Sequence, residues 1–449
     1  MTRIALLFAG TALSIATPAL ASEAALREEI ALLKAQLAAQ SAQLERLEAA
    51  TQMLSQNQAD TNAKIAASPA LQPTLPVPAA SAQVQTASAE GPSTTIGGYG
   101  EISYNSYLKD SSRNQADLKR FVLYFGHRFS DKLSFNSEVE IEHAIASASD
   151  PGEVEVEQAY LNYAFSPAIN LKAGLFLMPF GFINRSHEPP TFFGVERNEV
   201  ETRIIPSTYR EGGIGIYGTT SFGLSYDAGI TTGFDVAKFD DAGSPLRGSH
   251  QELVLAKASN LSFYGSLEYR PIPGVLIGGA VFSGNATQKN ADFKADATLP
   301  DFSGIKSRVT LWDVHARWQQ GRFDFQGLYA RGTISNATAL DNVLTAYNAA
   351  NGTDRPLIPK AFYGWLAQGA YTFPLGGEVT IAPFVRYEKL NTQARLPVGV
   401  IADQENRDQV FTTGLSFKPL ADVVVKADYQ KFFTNTENDR ISIGIGYQF

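Results

Sequence analysis

The chain ends on the run Ile441-Ser442-Ile443-Gly444-Ile445-Gly446-Tyr447-Gln448-Phe449. Apolar or aromatic residues occupy every second position, and small or polar residues fill the positions between them. Because successive side chains of a β-strand point to opposite faces, the run predicts a strand with one continuous apolar face. An exposed sheet edge this apolar would invite aggregation, so we expect the strand to be paired or covered.

The same alternation begins near Thr94 and recurs, in about sixteen runs, up to the C-terminus. Each run is near the length that a tilted strand needs to cross the hydrocarbon layer of a membrane, although strands of soluble sandwiches alternate too. In residues 120–129, the apolar face carries Phe121, Leu123, Phe125 and Phe129, and the opposite face carries Arg120, Tyr124 and Arg128. In residues 133–143, the apolar face carries Leu133, Phe135, Val139 and Ile141, and the opposite face carries Ser134, Asn136, Glu138, Glu140 and Glu142.

The connections between these runs alternate in length. Tight turns are predicted near Ser130, at Ser166-Pro167, near Thr220, at residues 271–274, at Gln320-Gly321, at residues 374–377 and at residues 418–420. Long polar connections lie between them, at residues 178–211, 233–260, 285–307 and 335–360. Short turns on one side and long loops on the other are typical of an outer-membrane barrel, with the short side in the periplasm.

The N-terminus has the pattern of a secretory signal peptide. Arg3 supplies positive charge, an apolar run follows from Ile4 to Ile15, and Ala19-Leu20-Ala21 forms a small-residue cleavage site. We therefore assign residues 1–21 to a signal peptide and residues 94–449 to a membrane unit. The apolar run is too short for a transmembrane helix, and no later run is apolar for long enough, so a membrane location requires a β-barrel.

The composition agrees with this fold class. Charged residues make up only 18% of the chain, Gly is abundant (37), and Phe (28) and Tyr (18) outnumber Trp (3). A barrel uses aromatic residues for its two membrane girdles and Gly where backbones approach closely. The net charge of −8 and the lack of a basic cluster argue against nucleic acid as a partner. The absence of Cys excludes a disulfide scaffold and a thiol-anchored lipoprotein.

A heptad pattern follows the signal peptide and predicts a periplasmic coiled coil over residues 22–65. The a positions are Ile30, Leu37, Leu44 and Thr51, and the d positions are Leu26, Leu33, Gln40, Leu47 and Leu54. The pattern leaves open dimer or trimer, and a helix lying on a surface is the alternative. Residues 66–93 are rich in Pro, Ala and Ser, and are interpreted as a flexible linker.

Two neighbouring stretches resemble a known family. The run from Glu157 to Tyr163 and the run from Leu171 to Gly181, which includes Met178-Pro179-Phe180-Gly181, resemble a strand pair of the phosphate-selective porin O and P family. The resemblance implies a sixteen-stranded barrel, usually trimeric, that admits small anions. The family relies on Arg and Lys ladders, whereas one wall here carries Glu138, Glu140 and Glu142, so the solute and its charge stay open. The terminal Tyr447 and Phe449 likewise resemble the signal that the barrel-assembly machinery recognises in porins.

Strand parity and this resemblance predict the residues that line a pore. The pore-lining candidates are Arg120, Arg128, Glu138, Glu140, Glu142, Asp313, His315, Arg317, Arg386, Glu388, Lys426 and Asp428. Charges on the lipid face would cost about 2 to 4 kcal/mol each at midplane, which favours an inward orientation. The long connection 178–211 is predicted to narrow the pore with Arg185, His187, Glu188, Glu196, Arg197, Arg203 and Arg210.

Enzymatic motifs are weak. His187-Glu188-Pro189-Pro190 lacks the second His of a zinc helix, and the five His residues are scattered. We therefore predict no catalytic residue, no metal site and no cofactor. The sequence predicts an outer-membrane porin that passes small hydrophilic solutes and associates with lipid and with copies of itself. The alternatives are a phosphate- or anion-selective porin, an envelope tether built on the coiled coil, and an outer-membrane hydrolase.

Overall fold

The computed structural model describes residues 92–147, 149–289 and 299–449, together with Lys34. The chain divides into two units, Met1–Leu75 and Pro76–Phe449. The predicted signal peptide, the predicted coiled coil apart from Lys34, and the predicted linker up to residue 91 lie outside the described residues. The described part of the second unit contains the whole of the sheet discussed below.

The second unit is a closed antiparallel barrel. Its strands are β1 (Ser93–Tyr107), β2 (Gln115–Arg128), β3 (Leu133–Glu142), β4 (Val154–Ser166), β5 (Ile169–Leu177), β6 (Arg210–Thr219), β7 (Leu224–Thr231), β8 (Ser262–Tyr269), β9 (Val275–Asn285), β10 (Arg308–Gln320), β11 (Phe323–Ile334), β12 (Ala361–Tyr371), β13 (Phe373–Gly376), β14 (Val379–Arg395), β15 (Arg407–Leu420), β16 (Val423–Phe432) and β17 (Arg440–Gln448). Neighbours in sequence pair around the ring, and β1 pairs with β17. Because β12 and β13 both pair with β14, the ring has sixteen strand positions, which confirms the predicted fold.

The C-terminal strand closes the ring. The N–H of Gly98 donates to the carbonyl of Phe449 at 3.1 Å, and the N–H of Phe449 donates to the carbonyl of Gly98 at 2.9 Å. A Cβ atom at Gly98 would lie 2.4 Å from the carbonyl oxygen of Val122, so only glycine fits at this point of the seam. The final strand therefore has a neighbour on both sides, as its apolar face requires.

The outer face of the barrel is apolar. Ile441, Ile443 and Ile445 of the last strand are 47%, 50% and 50% exposed. Aromatic rings contact one another in two belts: Trp318, Phe323, Phe325, Tyr371 and Phe373 near the short turns, and Trp312, Tyr329, Tyr363, Trp365 and Tyr387 further along the strands. Trp312 and Trp318 are six residues apart on β10, or roughly 20 Å at 3.4 Å per residue, which fits the apolar band of an outer-membrane barrel.

One of the long connections contains a helix that was not predicted. A short helix, α1 (Val200–Arg203), forms a single turn in the connection between β5 and β6. Residues 335–360 were expected to form a polar loop, yet they contain a longer helix, α2 (Ala337–Asn351). Leu340 and Leu344 lie one helical turn apart and are both buried, so one face of α2 is held by packing. No helix among the described residues is long and apolar enough to cross a membrane.

Two predicted turns begin later than expected. The strand β13 includes Pro374, and β15 continues through Pro419 to Leu420. Proline lacks an N–H group but has a backbone φ that extended strands tolerate near their ends. The prolines therefore mark the ends of these strands rather than the turns themselves.

Candidate pore constriction

The connection from Met178 to Tyr209 folds into the barrel. We call residues 178–209 the constriction segment. It bonds to side chains of β8 and β10, and also to side chains of β1, β15 and β16, on the opposite part of the ring. The bonds are Gly181 N–H to Asp313 (3.4 Å), Arg185 to Glu268 (2.8 Å), Lys418 to the Pro190 carbonyl (2.6 Å), Val195 N–H to Asp428 (2.6 Å) and Asn105 to Glu196 (2.9 Å). A segment that contacts opposite walls must cross the interior.

Two buried polar side chains hold the shape of this segment. The amide of Asn184 donates to the carbonyls of Met178 (2.7 Å) and Tyr209 (2.9 Å), and its oxygen accepts from the N–H of Tyr209 (2.6 Å). Asn184 thus joins the two ends of the segment. Glu201 accepts from the N–H groups of Phe182 (2.6 Å) and Ile183 (2.8 Å). Burial raises the pKa of Glu201, and the hydrogen bonds from Ile183 and its other donors oppose this rise.

The last strand is shaped to receive the segment. A Cβ atom at Gly446 would lie 2.2 Å from the Cβ of Pro189, and one at Gly444 would lie 2.9 Å from a methyl group of Val195. The alternating glycines of β17 therefore leave room for the constriction segment on the inner face, while the isoleucines occupy the outer face. Sequence alternation predicted the strand but not this contact, because the partners are about 250 residues apart.

One part of the interior is apolar. Fully buried residues of the constriction segment pack against the connection between β7 and β8, the walls β9 to β12 and helix α2. We call this cluster the apolar core; it includes Met178, Phe180, Val200, Ile204, Ile205, Tyr209, Phe234, Phe239, Leu246, Phe282, Leu311, Leu328, Leu340 and Leu344. The ring of Phe234 lies 5.2 Å from both Tyr209 and Phe282, measured between ring centroids. This packing excludes water from the cluster itself, whereas Asp313, His315 and Arg317 place charge further along the wall of β10.

Another part of the interior is a charged cavity of about 550 Å³, which we call the acidic cavity. It lies between strands β1 to β4, the constriction segment and the connection between β7 and β8. Ten carboxylates line it: Glu101, Glu140, Glu142, Glu153, Glu155, Glu196, Glu199, Asp240, Asp241 and Glu252. Six cationic side chains and His250 also line it: Lys119, Arg120, Arg197, Arg210, Arg247 and Arg440.

Ion pairs occupy several of these cations. Arg120 contacts Glu101 (2.8 Å), Glu140 (3.4 Å) and Glu142 (3.9 Å). Arg210 contacts Glu155 (2.6 Å) and Glu252 (2.9 Å), and Lys119 pairs with Glu196. Carboxylates outnumber the Lys and Arg side chains of the lining by ten to six.

Two loop carboxylates of the cavity are ionised at neutral pH. Burial alone would raise the pKa of Glu196, but the ammonium of Lys119 and other donors lower it to about 2. Burial also works against the charge of Glu252, yet its contact with His250 at 3.1 Å and the charge of Arg210 leave the pKa below the ordinary value.

Apart from Arg128, the predicted pore-lining residues lie in four groups rather than one site. Arg120, Glu140 and Glu142 border the acidic cavity, and Glu138 accepts a hydrogen bond from Gln158 (2.7 Å) beside it. The other groups are His315 with Asp313 (2.6 Å) and Arg317 with Asp324 (2.5 Å) on the wall of β10 and β11, Arg386 with Glu388 (2.8 Å) on β14, and Lys426 with Asp428 on β16. Arg128 instead pairs with Asp131 (3.7 Å) at the short turn between β2 and β3.

The predicted constriction residues are mostly engaged with the protein. Arg197 donates to Ser207 (2.7 Å) and Thr208 (3.2 Å), and Arg203 donates to the carbonyl of Gly243 (2.9 Å). Arg185, His187, Glu188 and Glu196 lie in the segment. The prediction was wrong at the C-terminal boundary, because Arg210 and Glu211 belong to β6 and the segment ends at Tyr209. Arg210 is in register with Leu177 of β5, so the strand pair extends to this point.

A closed antiparallel barrel with an apolar, aromatic-belted outer face and an inward-folded connection is the architecture of an outer-membrane porin. Residues 97–440 match the phosphate-selective porin O and P family. The chain belongs to that family and is an outer-membrane channel protein.

Several known proteins are similar to this chain in sequence or in fold. An uncharacterized protein of Aquifex aeolicus (strain VF5) is 34% identical over 361 residues, which cover 79% of this chain and 80% of that protein. The OmpF complex with daunomycin from Salmonella typhi has a TM-score of 0.53 at 15% identity, covering 80% of this chain and 98% of that chain. An anion-selective porin from Comamonas acidovorans has a TM-score of 0.45 at 12% identity, covering 80% and 100%. The OmpF match shows a shared fold alone.

Proposed function

We propose that this porin passes small hydrophilic solutes by diffusion through the acidic cavity and prefers cations to anions. The observation that carries the proposal is the charge of the cavity, where ten carboxylates face six cationic side chains. The preference departs from the family's description, which refers to phosphate.

The position of the cavity supports the same route. The apolar core occupies part of the interior beside β9 to β12, so water and ions are excluded from that part. The acidic cavity lies between the constriction segment and β1 to β4 and is lined by charged and hydroxyl groups. A hydrated ion passes a charged, wet surface at far lower cost than an apolar one. The constriction segment then sets the width of the route.

Reversal potentials test the preference directly. Purified protein in a planar bilayer, bathed in asymmetric KCl, is expected to conduct in discrete steps. The sign of its reversal potential is expected to show that K⁺ permeates more readily than Cl⁻. A chloride preference would contradict the proposal, and an absence of conducting steps would contradict passive diffusion itself.

The double variant Glu142→Gln with Glu153→Gln removes two carboxylates from the cavity lining. We expect its reversal potential to move toward that of an anion-preferring pore. Asp131→Asn is the matched control, because Asp131 lies in the turn between β2 and β3 with 93% of its side chain exposed. If Asp131→Asn changes the reversal potential as much as the double variant, the acidic cavity is not the selective region.

We further propose that the porin is a trimer with its N-terminal segment in the periplasm. The heptad pattern of residues 22–65 supports self-association, and the apolar outer wall offers a second contact surface. Light scattering of the detergent-solubilised protein is expected to give three chains, and deletion of residues 22–65 to weaken the assembly without abolishing conductance. If deletion instead preserves the assembly and releases the outer membrane from the cell wall, the segment is an envelope tether.

A further inference from the structure

Three potential metal ligands meet where the constriction segment contacts the barrel wall. They are Glu138 on β3, Glu157 on β4 and His187 in the segment. One ligand atom of each lies within 4.8 Å of the others, and the distance from Nε2 of His187 to Oε2 of Glu157 is 3.7 Å. Atoms at such separations suit a single cation with metal–ligand bonds of about 2.0 to 2.2 Å.

Glu157 is the side chain that indicates a bound ion. It is 0% exposed, and neither carboxylate oxygen has a hydrogen-bond partner among the described residues. Nε2 of His187 also has no hydrogen-bond partner there, and the residue is 4% exposed. A buried carboxylate and a buried ring nitrogen without such partners are unfavourable unless a cation compensates them.

The backbone turns Glu157 into this position. Glu138 pairs with Gln158, and Val139 pairs with Val156, so Glu157 is the extra residue of a β-bulge in β4. A bulge changes the direction of a side chain relative to a regular strand. His187 is oriented as well, because its Nδ1 lies 3.3 Å from the carbonyl oxygen of Asn184 and Nε2 is directed to Glu157. Metal-binding histidines are usually held in this way through their second nitrogen.

Nearby cations of the protein are engaged with other carboxylates. Glu140 and Glu155 also approach Glu157, but Glu140 pairs with Arg120 and Glu155 pairs with Arg210. Among the described residues, no Lys or Arg forms an ion pair with Glu138 or Glu157. The excess charge therefore concentrates on the pair of glutamates beside His187.

We propose that Glu138, Glu157 and His187 bind one divalent first-row transition-metal ion, with Zn²⁺ as the probe. One imidazole and two carboxylates favour such an ion over Ca²⁺ or Mg²⁺, which prefer oxygen ligands alone. The bound ion joins the constriction segment to β3 and β4. Sequence analysis predicted no metal site, because the ligands come from three separate elements and one depends on a bulge.

Zn²⁺ binding to the folded porin tests the proposal. The protein is purified without a polyhistidine tag, treated with a chelator, and titrated calorimetrically with Zn²⁺ and separately with Ca²⁺. We expect one Zn²⁺ per chain, and an affinity reduced about 10-fold or more in Glu157→Gln and in His187→Gln. Glu138→Gln, at a partly exposed position, provides a second ligand variant if Glu157→Gln fails to fold.

The matched control is His143→Gln. His143 contacts the carboxylate of Asp117 at 2.9 Å in a surface pair outside the proposed ligand set. Its loss is expected to leave Zn²⁺ binding unchanged. Absence of stoichiometric Zn²⁺ binding, equal affinity for Ca²⁺, or equal loss in His143→Gln would overturn the site. Binding is measured without conduction, so a porin that conducts but does not bind Zn²⁺ refutes only the metal site.

Discussion

The interior of the barrel holds the apolar core beside β9 to β12 and the acidic cavity beside β1 to β4. On the apolar side, Phe282, Leu311 and Leu328 pack against the constriction segment and α2. On the charged side, Arg120 and Glu142 border the acidic cavity. The same segment contacts both regions. Apolar packing and water exclusion hold the segment on one side, which leaves space for charged, hydrated groups on the other.

The two regions have different roles. The apolar core supports the constriction segment, and the acidic cavity is the proposed route for ions. Apolar contacts have no directional requirement, so the core can pack against a segment of irregular conformation. The buried backbone groups of that segment still need hydrogen-bond partners, and Asn184 and Glu201 bind several of them. Buried charges require specific partners, and those on the charged side occur as pairs or clusters. We therefore expect mutations on the two sides to change stability and conductance differently.

The largest effect is expected in the apolar core, from Phe282→Ala. Phe282 is 0% exposed, and its ring lies 5.7 Å from that of Tyr209. Loss of this ring should lower the free energy of unfolding by about 3 to 5 kcal/mol, because a cavity remains. Urea unfolding of the detergent-folded barrel measures it. Phe263→Ala, on the outer face and 52% exposed, is the control; an equal loss there would show that core packing is not the cause.

On the inner wall of β14, removing one charge of a buried ion pair should lower the free energy of unfolding much more than removing both charges. Arg386 and Glu388 form a buried pair with a 2.8 Å contact. Arg386→Met leaves Glu388 without this partner and should cost about 3 to 5 kcal/mol. The double variant Arg386→Met with Glu388→Gln should regain most of the stability in the same unfolding assay. A double variant as unstable as the single one would mean that the pair itself, not the unpaired charge, is important.

The contact between the constriction segment and the charged wall should weaken in acid. The pKa of Glu196 is lowered to about 2 from an ordinary value near 4.5, so its stabilising contribution is present above about pH 4.5 and lost as the pH falls through about 2. The contribution is on the order of 3 kcal/mol. Glu196→Gln should therefore be less stable than the natural chain at pH 6, and this difference should disappear near pH 2. A difference independent of pH would exclude the ion pair with Lys119 as its origin.

The smallest effect is expected at the edge of the segment, from Gly446→Ala. The added methyl group would lie 2.2 Å from Pro189 and should displace the segment at a cost of about 1 to 3 kcal/mol. We expect a higher single-channel conductance with an unchanged sign of selectivity. Gly327→Ala is the control, because its nearest neighbour would lie at 3.7 Å. Unchanged conductance in Gly446→Ala would show that this part of the segment does not set the pore width.

Much of the fold follows from the sequence because its signals are local. The two-residue period, the alternating connection lengths and the apolar last strand predicted a sixteen-stranded barrel, which the structure confirms. Parity also grouped Arg120, Glu140 and Glu142, which are in contact. Parity does not extend past Glu157, because a bulge inserts one residue there and shifts the faces of the strand beyond it.

The amino-acid sequence by itself determined the class of fold and the charged and apolar faces of its strands, since these depend on neighbours along the chain. Tertiary structure alone decided which walls the constriction segment contacts and which side of the interior stays wet. Val195 meets Asp428, and Pro189 meets Gly446, only because the ring closes and places distant strands around one segment. Contacts between residues so far apart in sequence leave no periodic signal, and that is why the acidic cavity and the cluster around Glu157 became visible only in the folded barrel.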